Sequence, residues 1–198
     1  QWTGDGDDIY GDLLIRDLFW KSSARQRDNI VYNKDVVNVA LHIRRGDVKQ
    51  LLDQGDESML RRWLDNSYYT NVMKTIDECA DKCGRQVAFY VFSEGDKKQF
   101  DEFKDVFSEI TILTELSAED SFINICHADI IVTAPSSFSI IAGAFSYALK
   151  LYPNKDWLTI PNTEEWQIVE LGGELNTSSK DYLMKYMSGL ARNSKRSI

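Results

Sequence analysis

The feature that most constrains the fold is an alternation of short, nearly continuous apolar runs with longer stretches of helical spacing. The runs are rich in β-branched residues, which is typical of strands buried on both faces. Five runs are predicted to be strands, at residues 36–43, 87–92, 110–113, 130–134 and 157–160. Because strands that alternate with helices form βαβ units, we predict an α/β protein with a Rossmann-like parallel sheet flanked by helices.

The stretches of helical spacing predict six helices, at residues 12–19, 68–83, 97–107, 118–126, 137–149 and 180–190. A chain of 198 residues has the size of one domain, so residues 1–198 are predicted to form a single domain. Within it, 172–198 is expected to be a polar linker, a C-terminal helix and a basic tail. The chain begins at Gln1 without a leader pattern, which predicts a domain excised from a longer protein.

Charge excludes one broad class of partner. Lys and Arg number 23 against 31 Asp and Glu, giving a formal net charge of −8. An acidic surface repels a phosphate backbone, so nucleic acid is not an expected partner, and an anionic ligand needs clustered cations. No apolar run has the length of a membrane span.

The cysteines also limit the possibilities. Cys79, Cys83 and Cys126 form neither a disulfide framework nor a zinc pattern, and no metal site is predicted. They favour a reducing compartment such as the cytoplasm. The sequon Asn176-Thr177-Ser178 leaves a secretory origin, such as the Golgi lumen, open.

The loop after the first predicted strand carries the most informative cluster, residues 42–47 with the sequence HIRRGD. Strand alternation places His42 and Arg44 on one face and Arg45 on the other. An arginine fork suits a diphosphate, because it forms paired charge-assisted hydrogen bonds and stays protonated. Asp47 is expected to orient one guanidinium. The alternative is a solvated turn with a structural Arg–Asp pair.

The loop after the fourth predicted strand is a second candidate anion site. A helix opens there with Ser136, Ser137, Phe138 and Ser139. Hydroxyls and unpaired backbone N–H groups therefore meet at the positive end of that helix. Plain N-capping by Ser136 or Ser137 is the alternative.

Two further loops are expected at the same edge, because ligands of parallel sheets bind outside the carboxyl ends of the strands. Ser93 and Glu94 could contact a base or a sugar, and Glu119 and Asp120 could accept hydrogen bonds from guanine. Both loops also fit acidic helix-capping patterns.

These residues resemble a known family. Residues 42–47 are similar to the H-x-R-R-x-D motif of the α1,2- and α1,6-fucosyltransferases and the O-fucosyltransferases. Segments 67–69, 90–95, 120–139 and 150–161 resemble further motifs of that family in the same order, so that the likeness covers most of the chain. The resemblance implies the nucleotide-sugar-binding half of an inverting, metal-independent GT-B glycosyltransferase that uses GDP-fucose as donor and a glycan as acceptor.

The resemblance also implies roles for individual residues. Arg44 would hold the β-phosphate with support from Arg45, and His42 would face guanine together with Glu119 and Asp120. Ser136, Ser137 and Phe138 would line the diphosphate. A general base is expected in the acidic stretch 51–57, with Asp53 as first choice and Asp56 or Glu57 as reserves.

Several departures from the family leave alternatives open. Ile140 and Ile141 stand where the family often has paired aromatics, and the acceptor-side domain of complete members is absent. The donor could therefore be UDP- or GDP-rhamnose. The chain could instead be a non-catalytic nucleotide-sugar-binding module or, more remotely, a flavodoxin-like signalling protein.

Overall fold

Six parallel strands form the centre of the computed structural model, in the spatial order β3-β2-β1-β4-β5-β6. The strands are β1 (Val37–Ile43), β2 (Val87–Ser93), β3 (Ile110–Leu113), β4 (Ile130–Val132), β5 (Leu149–Pro153) and β6 (Trp166–Val169). The structure describes residues 8–25, 29–155, 157–158, 160–161 and 163–190. The sheet confirms the predicted α/β architecture.

Seven α-helices lie within the described ranges: α1 (Asp8–Lys21), α2 (Gly46–Asp53), α3 (Asn66–Lys82), α4 (Asp101–Lys104), α5 (Ala118–His127), α6 (Ser137–Phe145) and α7 (Thr177–Gly189). Short 3₁₀ helices span Ser23–Arg25, Glu57–Arg62 and Lys97–Phe100. No helix in the ranges that the structure describes is long and apolar enough to cross a bilayer.

The central strand β1 shows why the sheet is covered on both faces. All seven of its residues are buried. Val39 and Leu41 pack into a core that includes α3 and α7, whereas Ala40 packs into the core of α1, α5 and α6. A strand with two apolar faces needs helices on both sides, and its side chains become available to a ligand only at its ends.

The first four predicted strands are confirmed with small shifts at their ends, but the predicted fifth strand is wrong. Residues 157–158 and 160–161 lie outside any strand, whereas 149–153 and 166–169 are strands. The helix predicted to run to Leu149 ends at Phe145. The misassignment arose because Lys150, in the middle of β5, gives that segment a polar residue where a buried strand is usually apolar.

Three other expectations are corrected. The predicted helix 97–107 is a 3₁₀ turn followed by the four-residue helix α4. The predicted acidic loop 51–57 begins inside α2, which ends at Asp53. The predicted linker 172–179 includes the first turn of α7. Residues 1–7 at the start of the chain and the expected basic tail at 191–198 lie outside the described residues.

Lys150 is buried because its charge is paired. Its Nζ is 2.9 Å from Glu165 Oε2 and donates to the Ser146 carbonyl at 2.9 Å. Arg16 of α1 reaches the same carboxylate at 2.8 Å. A buried cation needs such partners, because removing one of them leaves an uncompensated charge in the core. The triad of Arg16, Lys150 and Glu165 thereby ties α1 to the β5–β6 edge of the sheet.

Gly143→Ala tests the packing of α6 against that edge. The added Cβ would lie 2.8 Å from Trp166 Cη2 and 3.3 Å from Lys150 Cγ. We expect the free energy of unfolding to fall by about 1–3 kcal/mol, the usual effect of overpacking, although alanine is the better helix former. Urea unfolding measures the change.

Gly189→Ala in α7 is the matched control, because no atom of the described residues lies within 4 Å of its added Cβ. It is expected to be neutral or stabilising. Equal losses in the two variants would contradict close packing at Gly143.

Candidate functional site

The strand order defines a crevice between β1 and β4. The chain runs outward from β1 to β2 and β3, then returns to β4 on the other side of β1. In open α/β sheets, ligands bind at the carboxyl ends of the strands at such a reversal. β1 ends at Ile43, directly before the arginine pair, and β4 ends at Val132, directly before the serine-rich start of α6. Two of the predicted anion-binding loops therefore flank the crevice.

Arg44 is held between two carboxylates. Its guanidinium pairs with Glu94, which follows β2, and its Nη2 lies 2.5 Å from Asp47 Oδ1 in the first turn of α2. The Arg44 side chain is 21% exposed, and its buried Nε has no hydrogen-bond partner. The structure thus brings three predicted site residues, Arg44, Asp47 and Glu94, into one charged cluster.

Gly46 permits this cluster to form. Its φ of +32° lies in the left-handed region, which side chains rarely adopt, and a Cβ at this position would lie 3.3 Å from Glu94 Cβ. A larger residue here would therefore push the Glu94 side chain away from the start of α2.

Arg45 points away from the crevice, as strand alternation predicted. It is 2% exposed and its guanidinium carbon lies 4.0 Å from the centroid of the Trp63 ring. It donates to Asn66 Oδ1 at 2.5 Å and to the Arg44 carbonyl at 3.0 Å. These contacts give Arg45 a structural position beneath the loop. Trp63 and Asn66 were not among the predicted residues, because no sequence pattern links them to the end of β1.

His42 lies on the opposite face of β1, buried beside α6. Its ring centroid is 5.2 Å from that of Phe138, and its Nδ1 is buried without a hydrogen-bond partner. Burial, together with the nearby Arg44 charge, lowers the pKa of His42 to about 3. The imidazole is therefore neutral at physiological pH, and its Nδ1 is enclosed without a hydrogen-bond partner among the described residues.

The start of α6 lacks a side-chain cap. Ser136 occupies the N-cap position without a side-chain capping bond, which argues against the plain-capping alternative for this residue. Ser139 is fully buried, and its hydroxyl accepts from the Ala134 amide at 3.2 Å, which holds the loop in shape. Ser137 is exposed and Phe138 is half-buried. The first backbone N–H groups of α6 thus lie beside His42 without a serine hydroxyl capping them.

The remaining predicted donor-site residues have local structural contacts. Ser93 Oγ donates to the Ile43 carbonyl at 2.6 Å and joins the ends of β1 and β2. Ser117 caps the start of α5: its hydroxyl accepts from the Asp120 amide at 3.0 Å and donates to Asp120 Oδ2 at 2.7 Å. Glu119 is exposed in the first turn of α5. Contact of these residues with a nucleotide stays a prediction.

The predicted base residues lie along α2 and beyond it. Asp53 is the last residue of α2, and its carboxylate accepts from Lys49 Nζ at 2.7 and 2.9 Å. Asp56 caps the following 3₁₀ helix through the Ser58 amide at 3.0 Å. Glu57 is exposed. None of the contacts described for these residues joins them to Arg44 or His42.

A pocket of about 430 Å³ lies at the other edge of the sheet. It is lined by the start of β2 at Val87, by the carboxylates of Asp77, Asp81 and Glu109, and by one cation, Arg85. Three carboxylates against one guanidinium disfavour a diphosphate, so we place the candidate site at the carboxyl edge instead. No group of three or more metal-ligating side chains occurs among the residues that the structure describes.

Comparison with known proteins finds solved structures with a similar fold but no sequence family to which the chain can be assigned. No family model and no curated protein matches the chain. Among solved structures, the E. coli ADP-heptose LPS heptosyltransferase II is similar with a TM-score of 0.50 and 11% identity, over 92% of this chain and 51% of that protein. The chain thus shares an α/β fold with part of this neighbour and spans about half of its length.

Two other neighbours have lower similarity. POFUT1 in complex with GDP gives a TM-score of 0.39 at 16% identity, over 77% of this chain and 53% of that one. The catalytic domain of starch synthase IV from Arabidopsis thaliana, bound to ADP and acarbose, gives 0.34 at 11% identity, over 96% and 41%.

The depressed His42 pKa has two measurable consequences. The His42 ring signals in NMR should not titrate between about pH 8 and about pH 5, whereas an ordinary histidine titrates near 6.5. The variant His42→Gln identifies these ring signals by their loss. A titration midpoint near 6.5 would show that the ring is hydrated.

The same pKa shift affects stability. Below about pH 6.5 the unfolded chain binds a proton that the folded chain does not. His42 should therefore lower the free energy of unfolding as the pH falls from about 6.5 towards about 3.

Proposed function

We propose that this chain is a single nucleotide-sugar-binding domain of an inverting glycosyltransferase, which transfers fucose from GDP-fucose to a glycan hydroxyl. The observation that carries the proposal is the reversal of strand order between β1 and β4. It brings Arg44, the neutral His42 and the uncapped start of α6 to the two sides of one crevice.

In this proposal the diphosphate lies between Arg44 and α6. The Arg44 fork binds the β-phosphate, and the backbone N–H groups at the positive end of α6 bind other phosphate oxygens. The guanidinium and the helix N-terminus both attract anions, so together they can bind the diphosphate without a metal ion. Glu94 and Asp47 hold Arg44 in place before the donor arrives.

The nucleoside is proposed to extend along the α6 side of the crevice. The half-buried Phe138 offers it an apolar surface, and the neutral His42 ring packs behind Phe138. For His42 to contact the base directly, its buried Nδ1 must become accessible when the nucleoside binds. Glu119 and Asp120, on the neighbouring helix α5, are proposed to accept from the N–H groups of guanine. Asp120 can do so only with its remaining lone pairs, because one oxygen already accepts from Ser117.

The reaction is a displacement at the anomeric carbon. The acceptor oxygen forms the new bond as the bond from carbon to the β-phosphate oxygen breaks, and the electron pair leaves with GDP. Arg44 and the α6 N–H groups stabilise the charge that develops on the diphosphate. A general base takes the proton of the acceptor hydroxyl.

Asp53 is the proposed base. Seven helical steps separate it from Gly46 at the start of α2, a rise of about 10 Å at 1.5 Å per residue. That separation leaves room for a sugar ring between the diphosphate and the acceptor oxygen. The Asp53 side chain is 63% exposed, so an acceptor can approach it.

The resemblance of the HIRRGD segment to fucosyltransferases favours GDP-fucose over the rhamnose donors. A calorimetric titration of GDP, UDP and dTDP without metal, followed by donor hydrolysis, tests both base and sugar. A preference for UDP would replace the donor. Binding of GDP without any turnover would favour a binding module.

Arg44→Ala is expected to weaken GDP binding by about 10- to 150-fold, equivalent to roughly 1.5–3 kcal/mol for hydrogen bonds to a charged group. Calorimetry measures the change. Arg85→Ala is the control, because Arg85 lies at the opposite edge of the sheet, where it donates to the Leu190 carbonyl.

The double variant Arg44→Ala/Glu94→Gln separates two causes of that loss. Removing Arg44 alone also leaves the Glu94 carboxylate to repel the diphosphate. If Arg44 binds phosphate directly, the double variant stays weak. Recovery of normal affinity would mean that Arg44 only neutralises Glu94.

Asp53→Asn is expected to abolish transfer and leave GDP affinity unchanged, because the amide cannot accept the proton and lies away from the diphosphate. Lys49→Ala is the matched control, since it frees the Asp53 carboxylate from its ion pair and keeps the base. Initial transfer rates measure both variants. Normal turnover of Asp53→Asn would remove this residue from the role.

A further inference from the structure

A second group of cations lies at the carboxyl edge of the sheet, on the 3₁₀ helix Glu57–Arg62 and the loop after β5. The guanidinium carbons of Arg61 and Arg62 lie 5.0 and 5.1 Å from the centroid of the Trp157 ring. Leu60 and Leu158 beside them are 54% and 40% exposed. We call these five residues the arginine–tryptophan patch.

Lys155 and Tyr152 hold the two segments of the patch together. Lys155 Nζ donates to the carbonyls of Leu60 at 2.7 Å and Trp63 at 2.5 Å. Tyr152, on β5, donates from its hydroxyl to the Leu158 carbonyl at 3.1 Å. Both sides of the patch are therefore fixed by main-chain contacts, and the arginine side chains are not needed for that purpose.

The patch is linked to the candidate donor site by direct contacts. Trp63 follows the 3₁₀ helix that carries Arg61 and Arg62, and its ring packs under the Arg45 guanidinium. Arg45 in turn adjoins Arg44 in the chain and donates to its carbonyl. The patch is therefore joined through Trp63 and Arg45 to the loop that carries Arg44.

The arginines of this edge differ in how their N–H groups are used. Arg44 is bound by two carboxylates, and Arg45 by Asn66 and a carbonyl. For Arg61 and Arg62, the described part of the chain provides the Trp157 ring and no hydrogen-bond acceptor or carboxylate partner. A guanidinium over an aromatic face is stabilised without using its in-plane donors, so these remain available to an oxyanion.

Two buried donors in the patch also lack partners. Among the described residues, Arg62 Nε and Trp157 Nε1 are buried and have no hydrogen-bond acceptor. An unmade hydrogen bond at a buried donor is unfavourable by about 1–3 kcal/mol, which favours any small side-chain movement that brings an acceptor group to it.

We propose that the arginine–tryptophan patch binds an acidic sugar of the acceptor glycan. Arg61 and Arg62 bind its oxyanion, and Trp157 with Leu60 and Leu158 contacts the apolar face of the sugar ring. The inference rests on the proposed function, in which an acceptor must reach this edge. A net charge of −8 disfavours long polyanions, which leaves a saccharide with few charges as the matching ligand.

The test compares the binding of three trisaccharides to the full chain without nucleotide: one with a terminal hexuronic acid, its carboxyl-reduced neutral form, and one with a terminal phosphate. Ligand-observed NMR measures the affinities. We expect the charged saccharides to bind at least about tenfold more tightly than the neutral one, the scale of a hydrogen bond to a charged group. Comparing the uronic acid with the phosphate identifies the oxyanion.

Arg61→Gln/Arg62→Gln should abolish that preference and leave GDP binding unchanged. Arg25→Gln is the matched control, because Arg25 lies over Trp20 near the end of α1, away from this edge. Equal binding of charged and neutral saccharides, or an unchanged preference in the double variant, would overturn the proposal. So would a loss of GDP affinity in the double variant, since the patch would then belong to the donor site.

The saccharide titrations and the GDP titration fail independently. If the wild-type chain does not bind GDP but prefers acidic saccharides, the proposed donor is contradicted and the saccharide site at the patch is supported. If it binds GDP and shows no preference among the saccharides, the donor is supported and the saccharide site is contradicted.

Discussion

Burial of β1 on both faces is the constraint on which the rest of this structure depends. Val39, Ala40, Leu41 and Ile43 are fully buried, so the strand must lie between β2 and β4 with helices on either side. Its polar residues can reach a ligand only where the strand ends. The alternation of β1 then divides the cluster after it: His42 faces α6, while Arg45 packs over Trp63 on the other side. The crevice and the supporting layer below it therefore come from a single strand.

The sequence predicted the parts of the fold that follow from local pattern. The first four strands are continuous β-branched runs, and they were located to within two residues at each end. The fifth strand was missed because Lys150 is buried through Arg16 and Glu165, a partnership between distant segments that no window of sequence contains. The same limit applies at the site. The sequence predicts anion binding by residues 42–47, and that remains a prediction. The pairing of Arg44 with Glu94 and the position of Arg61 and Arg62 over Trp157 could not be predicted, because they depend on the packing of separate loops.

The described cations fall into groups that an acidic chain uses differently. Lys150 and Arg16 share the Glu165 carboxylate and hold α1 against the sheet. Arg45 is buried under the site, where desolvation lowers its pKa and nearby tyrosine and acidic groups oppose the shift. Arg44 is paired with Glu94 and Asp47 at the carboxyl edge of the sheet. The arginine–tryptophan patch lies at the same edge, and its two arginines have no carboxylate partner among the described residues. In the proposals made above, these two groups of cations attract small anions to a chain that is negative overall.

In the proposed function, the Arg44–Glu94 pair makes anion binding at the crevice an ion exchange. Before any ligand arrives, the guanidinium already has a carboxylate counter-ion, so chloride or another monovalent ion would gain little by replacing it. A diphosphate carries more charge and more acceptor oxygens than the carboxylate, and it would gain further from the N–H groups of α6. The carboxylate would then select for multivalent anions over the background electrolyte of the cell. Gly46 contributes to this selection because its missing side chain lets Glu94 pack against the start of α2.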